Sequence, residues 1–136
     1  MAVVEELIRS EADGTISFGN HLLAEKAKKE DYEHQGDLYK VKTFSTMTKL
    51  EKNGLFVYES VPGTSVIGLS ETADGVQFNV EGAEDAQLTV GLAEDTEYEV
   101  IVNGESAGKM KTNLGGKLNI SVELSGEGEV SVVIKK

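Results

Sequence analysis

Across residues 97–124, EYEVIVNGESAGKMKTNLGGKLNISVEL, apolar and polar positions alternate with a period of two: Tyr98, Val100 and Val102, then Leu118, Ile120, Val122 and Leu124. That period predicts strands with one buried face, and Asn103-Gly104 between them turns the chain. The pattern is regular from Thr64 onward. Segments Val66 to Leu69, Val76 to Val80, Leu88 to Leu92, Tyr98 to Val102, Gly108 to Thr112, Leu118 to Leu124 and Val130 to Ile134 begin about ten residues apart, with glycine- or acid-rich turns between them. Such spacing predicts an all-β domain built as an Ig-like, two-sheet β-sandwich. Its expected core phase runs through Val76, Phe78 and Val80; Leu88, Val90 and Leu92; and Val130, Val132 and Ile134. Gln77, Asn79, Gln87, Thr89, Asn119, Ser121 and Ser131 fall on the water phase, while Ile101 and Val133 break the alternation and are expected to lie under the N-terminal part.

The first 62 residues are β-rich but less regular. Val3, Val4, Leu7 and Ile8 suit a short helix or an edge strand equally. Asp13-Gly14 reads as a turn before a short strand ending at Phe18. The stretch HLLAEKAKKEDYEHQ holds enough helix formers for a short helix, yet Gly36-Asp37 followed by LYKVKTF resembles the second arm of a hairpin, with Tyr39, Val41 and Thr43 on one face. Asn53-Gly54 carries the clearest hairpin signal of this half. The uninterrupted run Leu55-Phe56-Val57-Tyr58 predicts a central strand covered on both faces. Val61-Pro62-Gly63-Thr64, with the single proline, reads as a hinge between an N-terminal region, 1–62, and a sandwich domain, 63–136.

Charge narrows the partners. The chain has 136 residues and a formal charge of −11, split as −3 over residues 1–62 and −8 over 63–136. A surface this acidic repels phosphate backbones and anionic lipid, which argues against a nucleic acid or a membrane as partner. Without cysteine there is no disulfide, thiolate metal site or cysteine nucleophile. MAVVEELIRSE lacks the basic and long apolar regions of a signal peptide or membrane span, so a cytoplasmic protein is expected.

Candidate chemistry is sparse. His21 and His34 are the only imidazoles, and no Gly-x-Ser-x-Gly nucleophile pattern occurs. Glu84-Asp85 and Glu94-Asp95 sit in expected loops where solvent keeps all four carboxylates ionised, unlike the matched acid and base of a glycosidase. Lys26, Lys28 and Lys29 are interleaved with Glu25, Glu30 and Asp31, as on a solvated face. No calcium-loop spacing appears, and Gly115-Gly116-Lys117 lacks the spacing of a phosphate loop. These patterns predict no catalytic residue, no metal and no cofactor. The most polar-aromatic patch, around Tyr32, His34 and Tyr39, is the candidate ligand-binding set.

Two stretches, TKLEKNGLFVYESVPGT and AEDTEYEVIVNGESAGKMKTNLGGKLNISVEL, carry a resemblance to short bacterial all-β proteins that often bear the label endosialidase. The second stretch, through Tyr98, Val100, Val102, Asn103, Gly104, Thr112, Gly116 and Leu118, also resembles the small β-sandwich modules that close many polysaccharide-degrading enzymes. The first resemblance implies a small glycan-active hydrolase, the second an accessory module that binds a glycan. No sialidase residue carries over, because the Ser-x-Asp-x-Gly-x-Thr-Trp repeat is absent and Arg9 is the sole arginine available to grip a sugar carboxylate. The sequence therefore points to a non-catalytic binding or accessory module for a glycan or protein partner. Its structural alternative is a homo-oligomer that buries Phe56 and Tyr58.

Overall fold

A computed structural model of the chain describes residues 3–136, and among them every regular element is a β-strand. The strands form two antiparallel sheets. The seven-stranded sheet runs from edge to edge as β1 (Ile8–Ser10), β2 (Ile16–Phe18), β7 (Ser65–Thr72), β8 (Gly75–Glu81), β13 (Val130–Lys135), β10 (Glu97–Val102) and β11 (Glu105–Lys111). The six-stranded sheet runs as β12 (Lys117–Val122), β9 (Ala86–Gly91), β6 (Leu55–Val61), β5 (Thr48–Lys52), β4 (Asp37–Thr43) and β3 (Ala27–His34). This is the all-β sandwich that the alternation predicts. In β8, for instance, Val76, Phe78 and Val80 point into the core opposite Ile134, Val132 and Val130 of β13, while Gln77 and Asn79 face outward.

The N-terminal segment does not dock onto a finished sandwich; it supplies part of both layers. β2 pairs with β7 and β6 pairs with β9, so each sheet takes strands from both sides of Pro62. One hydrophobic core joins Ile8, Phe18 and Tyr58 to Phe78, Val100 and Ile120. The expected hinge is a packed crossover: Gly63, Thr64 and Ser65 are buried, and a Cβ on Gly63 would stand 1.9 Å from the Phe44 carbonyl oxygen. The Val61–Pro62 peptide is cis.

Four further expectations resolve or change. Residues 3–7 form no helix; Leu7 turns with φ +75° into β1, an edge strand. Of the two readings of the stretch rich in helix formers the hairpin holds: residues 27–34 are β3, joined to β4 through Gln35-Gly36 at φ +50° and +84°. The apolar run of β6 does lie centrally, but a bulge accounts for its pattern. Tyr58 faces Leu50 and Phe56 faces Glu51, which makes Val57 the extra residue and buries Val57 and Tyr58 together while Leu55 is 71% exposed. Tyr58 is therefore inside its own chain and cannot be the aromatic surface on which copies associate. Leu92 and Val102, expected in the core, are half-buried against its margin.

Tyr58 is also where the two sheets lock. Its ring meets Phe18 and Phe78 of the opposite sheet edge-on, at centroid distances of 5.4 and 5.7 Å. Its hydroxyl meets Thr64 Oγ1 at 2.7 Å, which in turn meets Ser60 Oγ at 2.7 Å. A second chain of bonds has fixed direction, because a carbonyl can only accept. The Asn20 N–H donates to Thr43 Oγ1, Thr43 donates to Thr48, and Thr48 donates to the Thr64 carbonyl at 2.7 Å. Buried hydroxyls are thus satisfied by one another rather than by water.

Candidate functional site

The three residues singled out by sequence meet in one place, at the seam where β1 and β3, the neighbouring edges of the two sheets, come together. Ser10 shares the inward phase of Ile8, and Tyr32 and His34 share the inward phase of β3. Tyr32 pairs with Tyr39 across the hairpin, and the His34 ring stands edge-on to Tyr39 at 5.9 Å. Ser10 Oγ lies 2.7 Å from His34 Nδ1 and 2.9 Å from the Tyr32 hydroxyl. His34 Nε2 is 3.1 Å from the Gly14 carbonyl, which fixes the direction of the chain for a neutral imidazole. Nε2–H donates to Gly14, Nδ1 accepts from Ser10, and Ser10 accepts from Tyr32.

A serine donating to an imidazole is half of a nucleophile arrangement. The other half is a bound carbonyl flanked by oxyanion donors, and the Ser10 hydroxyl stands exposed on an edge strand rather than at the floor of a recess. His34 and Tyr39 are only 8% and 6% exposed, so neither offers a ring face to a ligand. Burial raises the Tyr39 phenol above its ordinary value, as suits a core residue. The patch named from sequence is a clasp between sheets, with Tyr32 and Ser10 at its wet rim.

Behind that seam, on the outer face of the seven-stranded sheet, lies a hollow of about 730 Å³. Its floor is made by outward residues of β7, β8 and β13: Ile67, Gln77, Asn79, Ser131 and Val133. The register sets Ile67 and Ser131 on either side of Asn79 and places Gln77 beside Val133, so amide and apolar side chains alternate across neighbouring strands. The wall is the β1–β2 loop with Arg9. Glu11 ties this wall together: its carboxylate accepts from Arg9 Nε at 2.9 Å and from the Ser17 hydroxyl at 2.5 Å. Ser17 Oγ in turn accepts the Gly68 N–H at 3.0 Å, joining the wall to the floor. Asp13 accepts both the hydroxyl and the N–H of Thr15.

Those bonds hold both carboxylates more acidic than usual, Glu11 through the Ser17 hydroxyl and then Arg9, Asp13 through Thr15. Neither is poised to carry a proton at neutral pH. Arg9 is committed to Glu11 and, at 3.8 Å, to Glu6. The lining therefore offers amide donors and acceptors, a hydroxyl and apolar contact, with negative charge in its wall. Among the described residues, no group of three or more histidine, cysteine and acidic side chains is arranged to hold a metal ion.

Gln77, Asn79 and Ser131 do fall on the outer face, as their polar phase predicts, and there they line the hollow. Val133 was expected beneath the N-terminal part, and it does share the hollow with Ala12 and Asp13. Ile101 does not line the hollow; it stays half-buried on the outer face between Ser106 and Val133. The available signal was the coincidence of planar amides and β-branched residues on the outward phase of adjacent strands. Which strands are adjacent was not readable. No protein-family model, no curated protein and no solved structure matches this chain.

Proposed function

We propose that this protein is a non-catalytic, glycan-binding accessory module that holds a neutral saccharide in the hollow on the outer face of its seven-stranded sheet. The observation that carries the reading is the alternation of Gln77 and Asn79 with Ile67 and Val133 over an open floor. Amides supply paired donors and acceptors for sugar hydroxyls, and apolar side chains meet the C–H face of a pyranose ring. A wall braced by Glu11 reduces the ordering cost of binding. The resemblance of residues 93–124 to accessory modules of polysaccharide-degrading enzymes points the same way. Neutral rather than anionic sugars are favoured, since the one cation of the wall is already paired and the carboxylates remain charged.

The test is a glycan array probed with the intact chain, followed by titration of the best saccharide against the double variant Gln77→Ala, Asn79→Ala. Both positions are exposed, so the thermal midpoint should hold while affinity falls at least tenfold. Undiminished binding by the variant would remove the hollow from the account. A preference for sialylated or uronate-rich glycans would overturn the choice of neutral sugar.

A further inference from the structure

The two sheets differ in width. At one margin their edges align, because β1 of the seven-stranded sheet meets β3 of the six-stranded sheet through the contacts of Ser10 with His34 and Tyr32. At the other margin the seventh strand of the wider sheet, β11, therefore projects beyond β12. Exposure along β11 agrees. Gly108 and Met110 pair with Val100 and Tyr98 of β10 and share their inward phase, yet Gly108 is exposed and Met110 half-buried, whereas Val100 and Tyr98 are buried. Beside β12 and opposite β11 lies the place of a further strand, about 4.8 Å from β12, and among the described residues no strand occupies it. A recess of about 460 Å³ opens there between the β10–β11 hairpin and the end of β12, with Val102, Val122 and Val130 in its lining.

The edge facing this slot has unpaired backbone groups. The Leu92 N–H donates to the Gly116 carbonyl, and the register runs on from Lys117–Gly91 to Val122–Ala86 without a shift. Alternate residues of an antiparallel pair bond to the partner, so Leu118, Ile120 and Val122 direct their backbone groups at β9. Asn119 and Ser121 direct theirs into the slot. Lys117 does the same, and there its N–H donates to Asn113 Oδ1 and its carbonyl accepts the Asn113 N–H, which closes that end. The other edges are protected: β1 has three residues, β3 carries a bulge among charged side chains, and β11 carries two lysines and a register shift. From Leu118 to Val122, β12 has no register shift, proline or charge. Glu105, Glu123 and Glu127 stand at the open end, and among the described residues none has a cation within ion-pair distance.

We infer that β12 is a docking edge for an extended segment of a partner protein, which joins the narrower sheet antiparallel to β12 and sets a basic residue opposite Glu123. Backbone pairing with Asn119 and Ser121 attaches the segment, and its alternate apolar side chains continue the row of Val122, Ile120 and Leu118 beneath β11. The carboxylates at the open end fix its direction. A second copy would bring its own β10 against β11, so the slot admits a single strand. The site is separate from the saccharide hollow and does not depend on the glycan reading. The probe is the peptide acetyl-KVTVTV-amide, titrated into the intact protein and followed by amide chemical shifts. Its lysine then stands opposite Glu123, its threonines opposite Ser121 and Asn119, and its valines opposite the inward residues. Saturable one-to-one binding should shift Gly108, Met110, Asn119 and Ser121, and should slow hydrogen exchange at the last two about tenfold. Methylating the two threonine nitrogens should abolish binding, whereas methylating valine nitrogens, which point away from β12, should keep it within about threefold. A glutamate in place of the peptide's lysine should weaken binding about tenfold. No saturable shift at millimolar peptide, shifts centred on β3, or undiminished binding after threonine methylation would overturn the docking edge. A glutamate peptide that binds as well would overturn the basic residue. Sedimentation as a dimer, with Asn119 and Ser121 slow to exchange before peptide is added, would give the edge to a second copy and overturn the partner.

Discussion

His21 shows what a single buried side chain can impose. It is 3% exposed, its Nδ1 meets Ser65 Oγ at 2.8 Å, and among the described residues its Nε2 has no hydrogen-bond partner. Burial lowers its pKa from the ordinary value, with Glu81 partly opposing. The unfolded chain therefore binds the proton more readily than the folded one. Stability is full above the unfolded value, near pH 6.5, and declines as the pH falls below it toward the lowered folded value. The urea midpoint should drop between about pH 7 and pH 5. In His21→Gln that slope should largely vanish, and an unchanged slope would refute the assignment. The lowered carboxylates Glu11, Asp13 and Glu30 act only below that window, where they too release stability on protonation. Thr48 makes a different demand, because it accepts from Thr43 and the Thr64 N–H and donates to the Thr64 carbonyl. Thr48→Val orphans several buried groups and should cost about 3 kcal/mol, whereas Tyr58→Phe leaves Thr64 with Ser60 and should cost about 1 kcal/mol. Chemical denaturation of the two variants checks the order.

Among the elements, the strands whose alternation is clean were legible and those carrying bulges were not. β8 and β12 could be read residue by residue, since one face of each is buried throughout. In β3 two residues, Glu30 and Asp31, intervene between the pairs Lys29–Val41 and Tyr32–Tyr39, with Asp31 at φ +56°. The bulge shifts phase within the strand, so a segment of helix-forming composition folds as an edge strand whose partner β4 decides its form. Lysines, acids and that bulge also make this edge a poor template for pairing with another chain. β11 is guarded in the same manner by Lys109, Lys111 and a register shift opposite Val100 and Ile101. The crossover from β6 to β7 is the most exacting connection. Gly63→Ala drives a methyl group into the Phe44 carbonyl and should lower stability by about 2–3 kcal/mol, visible as a fall in thermal midpoint. A midpoint within a degree or two of the parent would show that the crossover gives way.

At the level of the molecule, interleaving makes the two segments mutually dependent. Residues 63–136 by themselves would leave β9 without β6 and β7 without β2, uncovering Leu88, Val90 and Val66. That fragment should show no cooperative thermal transition, while the intact chain should unfold in one step because a single core serves both sheets. A well-folded fragment would restore the boundary at Pro62 as a domain border. The same interleaving explains why the candidate sites were beyond sequence. Ser10 and His34 are 24 positions apart, and Arg9 and Asn79 line one hollow only because β1 and β8 lie in one sheet.

Sequence by itself determined that the chain is all-β, that residues 63–136 fold as two layers and which of their side chains those layers hide, because alternation is a local consequence of the pleat. Tertiary structure alone decided strand order, bulge phase and which distant residues line the hollow on the outer face. Those depend on pairings between distant segments, which the water-avoidance of each segment leaves undetermined.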